Sequence, residues 1–130
     1  HVLYDYEDQP TPSIFNWFLL NILYKLNSYT KNNLEYYFRG RIFIQPPLLP
    51  TKSSGIHVDF TFDHLVCLYY VNNVDGDTIF YEDDKKTEIK RISPKKGRIA
   101  FFSGNIPHCS TSPKELPRSI INFNFINIPK

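Results

Sequence analysis

Apolar and polar positions change their period once along this chain. Before Lys31, Phe15, Phe18, Leu19, Ile22, Leu23 and Leu26 recur at helical spacing. Thr11 and Pro12 supply a cap and a first-turn proline, so the pattern predicts a helix over 12–27 with one broad apolar face. Trp17 is read as packing within it. Residues 1–10, acidic and aromatic around Tyr4, Asp5, Tyr6, Glu7 and Asp8, read as a loop or the tail of a preceding element. After Asn33 the texture becomes short strand-like runs. They are expected at 41–45, 56–60, 64–72, 77–82, 87–92, 98–102, 106–110 and 118–128. Pro46-Pro47 ends the first, and 48–55 is a loop rich in Pro, Ser and Gly. Turn residues such as Asn73-Val74-Asp75-Gly76 and Ser103-Gly104-Asn105 separate the others.

Eight evenly spaced strands argue for a sandwich or barrel, and eight in two sheets is the count of a jelly roll, the architecture of cupins. No helical pattern interrupts 41–128, which argues against parallel βαβ units. The expected fold is mainly β: a double-stranded β-helix (jelly roll, cupin-like) with an N-terminal packing helix. One domain is expected over 1–130, with a helical flank at 1–40 and the jelly-roll core at 41–128. The chain contains no Met, so the flank reads as truncated.

Composition narrows the class further. The chain has 130 residues, of which 42% are hydrophobic and 16% aromatic, enough for a core and too apolar for disorder. A net charge of +2 is not the footprint of a dedicated nucleic-acid binder. Lys85-Lys86 and Lys95-Lys96 read as solvated turns. Cys67 and Cys109 make neither a zinc spacing nor a disulfide framework, so free thiols in a reducing compartment are expected. The longest apolar run, 14–26, holds Asn16, Asn21 and Lys25 and is too short and polar to span a bilayer. With no signal-peptide pattern visible, a cytoplasmic location and no membrane partner are expected.

The stretch Gly55-Ile56-His57-Val58-Asp59-Phe60 carries the candidate chemistry. In an extended segment residues i and i+2 share a face, so His57 and Asp59 project together. They are two thirds of the two-His-one-carboxylate triad that holds non-haem Fe(II) and leaves positions open. Taken alone, the pair reads equally well as a strand-end His and Asp bonded to each other or to a turn. His108, on a later strand, can come beside the pair because neighbouring strands lie about 4.8 Å apart. Arg118 opens the last strand, and alternation puts Arg118, Ile120 and Asn122 on one face and Ser119, Ile121 and Phe123 on the other. An exposed strand-end Arg is the plainer reading of Arg118 by itself. If it faces the interior it needs an anion, and a guanidinium grips a carboxylate bidentately.

With His57-Val58-Asp59, the runs LYYVN at 68–72, DGDTIF at 75–80 and ISPKKGRIAFF at 92–102, then His108 and Arg118, the chain resembles the Fe(II)/2-oxoglutarate-dependent dioxygenases, in particular their prolyl-4-hydroxylase-like branch. The resemblance covers 41–125. It implies that His57, Asp59 and His108 bind Fe(II) and that Arg118 pairs with the distal carboxylate of 2-oxoglutarate. It implies that the Tyr70 hydroxyl helps hold that carboxylate, that Asn122 matches a hydrogen-bonding position, and that Leu68 and Thr78 line the co-substrate pocket. Catalytic roles would then fall on His57, Asp59, His108 and Arg118. O2 would be the other co-reactant and ascorbate a candidate accessory reductant. The implied reaction is hydroxylation of a substrate C–H bond with release of succinate and CO2, most naturally on a peptidyl or free amino-acid side chain such as proline. A carboxylate in the triad fills the position that halide takes in related halogenases, which favours hydroxylation. His64 follows closely enough to compete as a ligand, and Cys109 should point off the metal face. Two alternatives stay open: the same chemistry on a small metabolite or a methylated nucleobase, and a non-catalytic cupin-like binding module. A peptide or small-molecule substrate is the expected partner, with nucleic acid disfavoured by the lack of a basic stripe.

Overall fold

A computed structural model describes residues 2–4, 14–30, 34 and 37–126, with side chains described from Leu20 onward. Its elements are β1 (Val2–Tyr4), α1 (Ile14–Thr30), β2 (Tyr37–Gln45), β3 (His64–Tyr70), β4 (Thr78–Tyr81), β5 (Glu88–Ile92), β6 (Ile99–Ser103), β7 (His108–Ser110) and β8 (Arg118–Ile126). Two antiparallel sheets face each other. The larger runs β1-β2-β8-β3-β6 and the smaller β5-β4-β7. This is the expected mainly-β jelly roll, with α1 laid on its outer face.

Alternation along β3 and β8 decides what each face does. Cys67 of β3 and Ile121, Phe123 and Phe125 of β8 turn outward and pack with Ile22, Leu23 and Leu26 of α1. Each large side chain fully buried there contributes about 1.5–3 kcal/mol. Asn27 pins the chain leaving the helix, donating to Leu34 O at 3.0 Å and accepting from Leu34 N at 2.8 Å. The opposite residues, Val66, Leu68, Tyr70 and Ile120, turn inward with Ala100 into a second core. Phe80 of the small sheet meets Phe102 of β6 there edge-on, with ring centroids 4.8 Å apart. The inward face of β8 continues with the polar Asn122 and Asn124, both buried.

Two expectations change. The segment 56–60 is not a strand. Its bridge to β7 joins His57 with His108, while just before it Ser54 bonds Ser110 and Ser53 bridges Thr111. Its partner β7 is three residues long, preceded by Pro107, which has no N–H to extend a ladder. Past His57 the chain leaves β7 and brings the Asp59 carboxylate to amides on β8. The eighth strand is instead β1, inside the stretch expected to be loop: Val2 pairs with Arg41 and Tyr4 with Gly40. Three residues are too few to show a period, and the free edge of β2 supplies the pairing. The cap at Thr11-Pro12, the side chain of Trp17 and the end of the last strand beyond Ile126 lie outside the described residues.

Candidate functional site

His57 and His108 face one another across the bridge between 53–57 and β7. His57 N donates to His108 O at 3.0 Å, and His108 N donates to His57 O at 2.9 Å. Directly opposed residues project to the same side, and the two rings lie 4.8 Å apart at 48°. Asp59 completes the group: its Oδ1 is 3.7 Å from His57 Nε2. One ligand atom from each of His57, Asp59 and His108 can be chosen so that all lie within 4.8 Å of one another.

The surroundings of the three side chains select their ligand form. His57 Nδ1 sits 2.8 Å from Gly55 O, and His108 Nδ1 sits 2.9 Å from Ile106 O. A carbonyl only accepts, so each Nδ1 carries a hydrogen, and in the neutral form of each ring Nε2 keeps its lone pair. Burial, the largest influence on His108, holds its pKa below the usual histidine value and favours the neutral ring. Asp59 Oδ2 accepts from Asn122 Nδ2 at 3.2 Å and Asn124 Nδ2 at 2.9 Å, which fixes the carboxylate and leaves Oδ1 toward the histidines. Two imidazoles that can offer Nε2 and one carboxylate, each oriented by a second partner, suit Fe(II).

Arg118 shares a cavity of about 410 Å³ with this group. It is 3% exposed. Its Nη2 donates to Thr78 Oγ1 at 2.7 Å and its Nη1 reaches Gln45 Oε1 at 3.4 Å, while its buried Nε has no partner. Among the described residues no carboxylate forms an ion pair with it. Burial pulls its pKa down, the expected penalty for a desolvated cation. A buried guanidinium with no ion pair among the described residues fits an incoming anion.

Leu68, Thr78, Ile120 and Asn122 line the same cavity, so Leu68, Thr78, Asn122 and Arg118 stand beside the three candidate ligands. Tyr70 is not among the residues lining the cavity. It is fully buried behind the wall, and its hydroxyl donates to Thr78 Oγ1 at 2.8 Å. Both lone pairs of that threonine oxygen are then taken, one by Tyr70 and one by Arg118, which leaves the Thr78 O–H to donate elsewhere. Cys109 borders the cavity, but its thiol lies 3.7 Å from Tyr81 Oη and it is not one of the three grouped ligands. His64 is also outside that group. Its ring lies against Phe60 and Phe62, at 5.2 and 5.7 Å, with Nδ1 2.8 Å from Phe62 O.

Asn124 and Gln45 were not among the sequence candidates. Asn124 had a legible signal, since the alternation that singles out Asn122 carries on to it. Gln45 had none, because its partner depends on the register of β2 against β8, which pairs Gln45 with Arg118.

No protein-family model matches the chain. No curated protein matches it in sequence. Its fold is similar to a crystal structure of an oxidoreductase of the 2OG-Fe(II) oxygenase family from Burkholderia pseudomallei. The TM-score is 0.69 at 12% identity, over 91% of this chain and 59% of that one. At that identity the likeness shows the fold, and the chain spans 59% of that protein's length. Among the described residues no helix is long and apolar enough to cross a membrane.

Proposed function

We propose that this chain is an Fe(II)- and 2-oxoglutarate-dependent dioxygenase that hydroxylates a peptidyl or free amino-acid side chain, with proline the first candidate. One observation carries the reading: a two-His-one-Asp group and a buried, anion-seeking Arg118 open into one cavity. The similar fold of an oxidoreductase of the 2OG-Fe(II) oxygenase family supports it.

His57 Nε2, Asp59 Oδ1 and His108 Nε2 would hold the metal. Fe(II) with 2-oxoglutarate supplies the oxidation of the substrate C–H bond, with release of succinate and CO2. The protein's residues do the positioning. Carbonyls of Gly55 and Ile106 fix the imidazole tautomers, and the two asparagines fix Asp59. Arg118 takes the far carboxylate of the co-substrate, and the Thr78 hydroxyl, its oxygen held by Tyr70 and Arg118, donates to it. Leu68 and Ile120 keep that wall dry. At the mouth Phe43 and Ile44, 42% and 70% exposed, offer an apolar rim suited to an aliphatic ring such as proline.

The test is succinate release from 2-oxoglutarate with added Fe(II), with and without proline-containing peptides. Wild type should release succinate, and His108→Ala and Asp59→Ala should not. Equal turnover in all three proteins would remove the site assignment. Metal binding without any succinate would favour a non-catalytic cupin-like module.

A further inference from the structure

Two cations stand on the inner face of β2 with nothing assigned to them. Register pairs Arg41 with Asn122 and Arg39 with Asn124. Opposed residues in an antiparallel pair share a face, with Cβ atoms about 5 Å apart. Both arginines therefore project toward the side where Asn122 and Asn124 grip Asp59. The Arg39 guanidinium lies over the Phe60 ring, 4.8 Å from its centroid, next in sequence to Asp59.

Among the described residues no carboxylate compensates either cation. The Nε atoms of Arg39 and Arg41 are buried and have no hydrogen-bond partner. Among the described residues neither side chain forms an ion pair. They are two positions apart on one strand face, about 7 Å, so they repel each other unless an anion lies between. The Asp59 carboxylate already spends Oδ2 on two amides and turns Oδ1 to the histidines. A metal held by Asp59 would take its charge out of play and leave the pair more strongly cationic. Arg118 serves a different place. Asn122 and Asn124 lie four and six residues beyond it along β8, roughly 13 and 20 Å.

We propose that Arg39 and Arg41 form a second oxyanion subsite, on the flank of the metal centre away from Arg118, which receives a carboxylate or phosphate carried by the primary substrate. That the anion belongs to the substrate rests on the dioxygenase reading; that the subsite exists does not. With that reading, the preferred substrate is an acidic one, such as a prolyl peptide with a neighbouring carboxylate, whose apolar ring meets the rim while its anion meets the arginine pair.

The subsite can be tested without iron. Arginine Nε–H signals of the metal-free protein are followed by 1H–15N NMR with 2-oxoglutarate saturating, and assigned with Arg39→Lys and Arg41→Lys. Inorganic phosphate is titrated in one arm and acetate in the other. The expected result is a saturable shift of the Arg39 and Arg41 signals together. It should half-saturate at a concentration at least tenfold below that which moves the exposed Arg98, and Arg41→Gln should abolish the Arg39 shift. Acetate alone acting would name a carboxylate, and phosphate alone a phosphoryl group. Signals that stay still, or that move in parallel with Arg98, would overturn the subsite. Because wild type carries the test, a variant that fails to fold does not block it. Because no iron is present, its failure is separate from failure of the dioxygenase reading.

Discussion

Asn124 Nδ2 donates to Asp59 Oδ2 at 2.9 Å across 65 positions of sequence. The bond ties the candidate metal carboxylate to the strand that also carries Arg118, so one element positions both Asp59 and Arg118 at the cavity. Partners of metal ligands typically govern affinity by 10–100-fold. Asn124→Leu keeps the volume and removes the donor, and should weaken Fe(II) binding by about that factor. Anaerobic calorimetry with Fe(II), or Mn(II) in its place, reads the change. Unchanged affinity would mean that Asn122 alone orients Asp59.

On the proposed reading, Arg118 separates metal binding from co-substrate binding. Truncating one member of a buried charge pair costs about 2–5 kcal/mol. Arg118→Met should therefore raise the apparent KM for 2-oxoglutarate by at least about 30-fold, the lower end of that range. Fe(II) affinity should stay within a factor of about two, since Arg118 is absent from the grouped ligands. Thr78→Val removes the oxygen on which Tyr70 and Arg118 converge. It should raise KM by about tenfold, near the worth of one hydrogen bond to a charged group. Steady-state succinate assays over a range of 2-oxoglutarate concentrations distinguish the two variants.

Gly104 and His64 form a close contact next to the site. A Cβ on Gly104 would collide with the His64 ring, which is 1% exposed and packed on Phe60 and Phe62. Forcing in that methyl should cost about 1–3 kcal/mol, or roughly 4–12 °C in Tm for a chain of this size. Adding His64→Ala in the same protein should return part of the loss, because the two changes relieve one clash. Thermal melts of the two single variants and the double variant measure the coupling. Additive losses would place the strain elsewhere.

What the sequence made legible follows from period. The switch from helical to alternating spacing marks α1 and the sheets, and alternation after Arg118 separates the inward Arg118, Ile120 and Asn122 from the outward Ile121 and Phe123. The grouping of His57, Asp59 and His108 needed more than alternation. Only isolated bridges and the Ser54–Ser110 bonds hold 53–57 to β7 and Thr111, and spacing does not encode such isolated contacts. The same weakness explains why 56–60 looked like a strand: His57 and Asp59 do act together, but because Asp59 is drawn to asparagines on β8. Tyr70 shows the opposite limit. Its face was readable, but that its hydroxyl bonds Thr78 depends on how β4 packs against β3. Arg39 and Arg41 became meaningful only with the register of β2 against β8, which no local pattern carries.

The central claim is that one cavity holds Fe(II) on His57, Asp59 and His108 and 2-oxoglutarate against Arg118. Its most direct measurement is an anaerobic titration of the protein with Fe(II) and then 2-oxoglutarate, followed by visible absorption. A weak metal-to-ligand charge-transfer band should appear that saturates at one equivalent of metal. It should be absent in Asp59→Ala and should need far more 2-oxoglutarate in Arg118→Met. No band in the wild-type protein at saturating metal and co-substrate, or the same band in Asp59→Ala, would contradict the account.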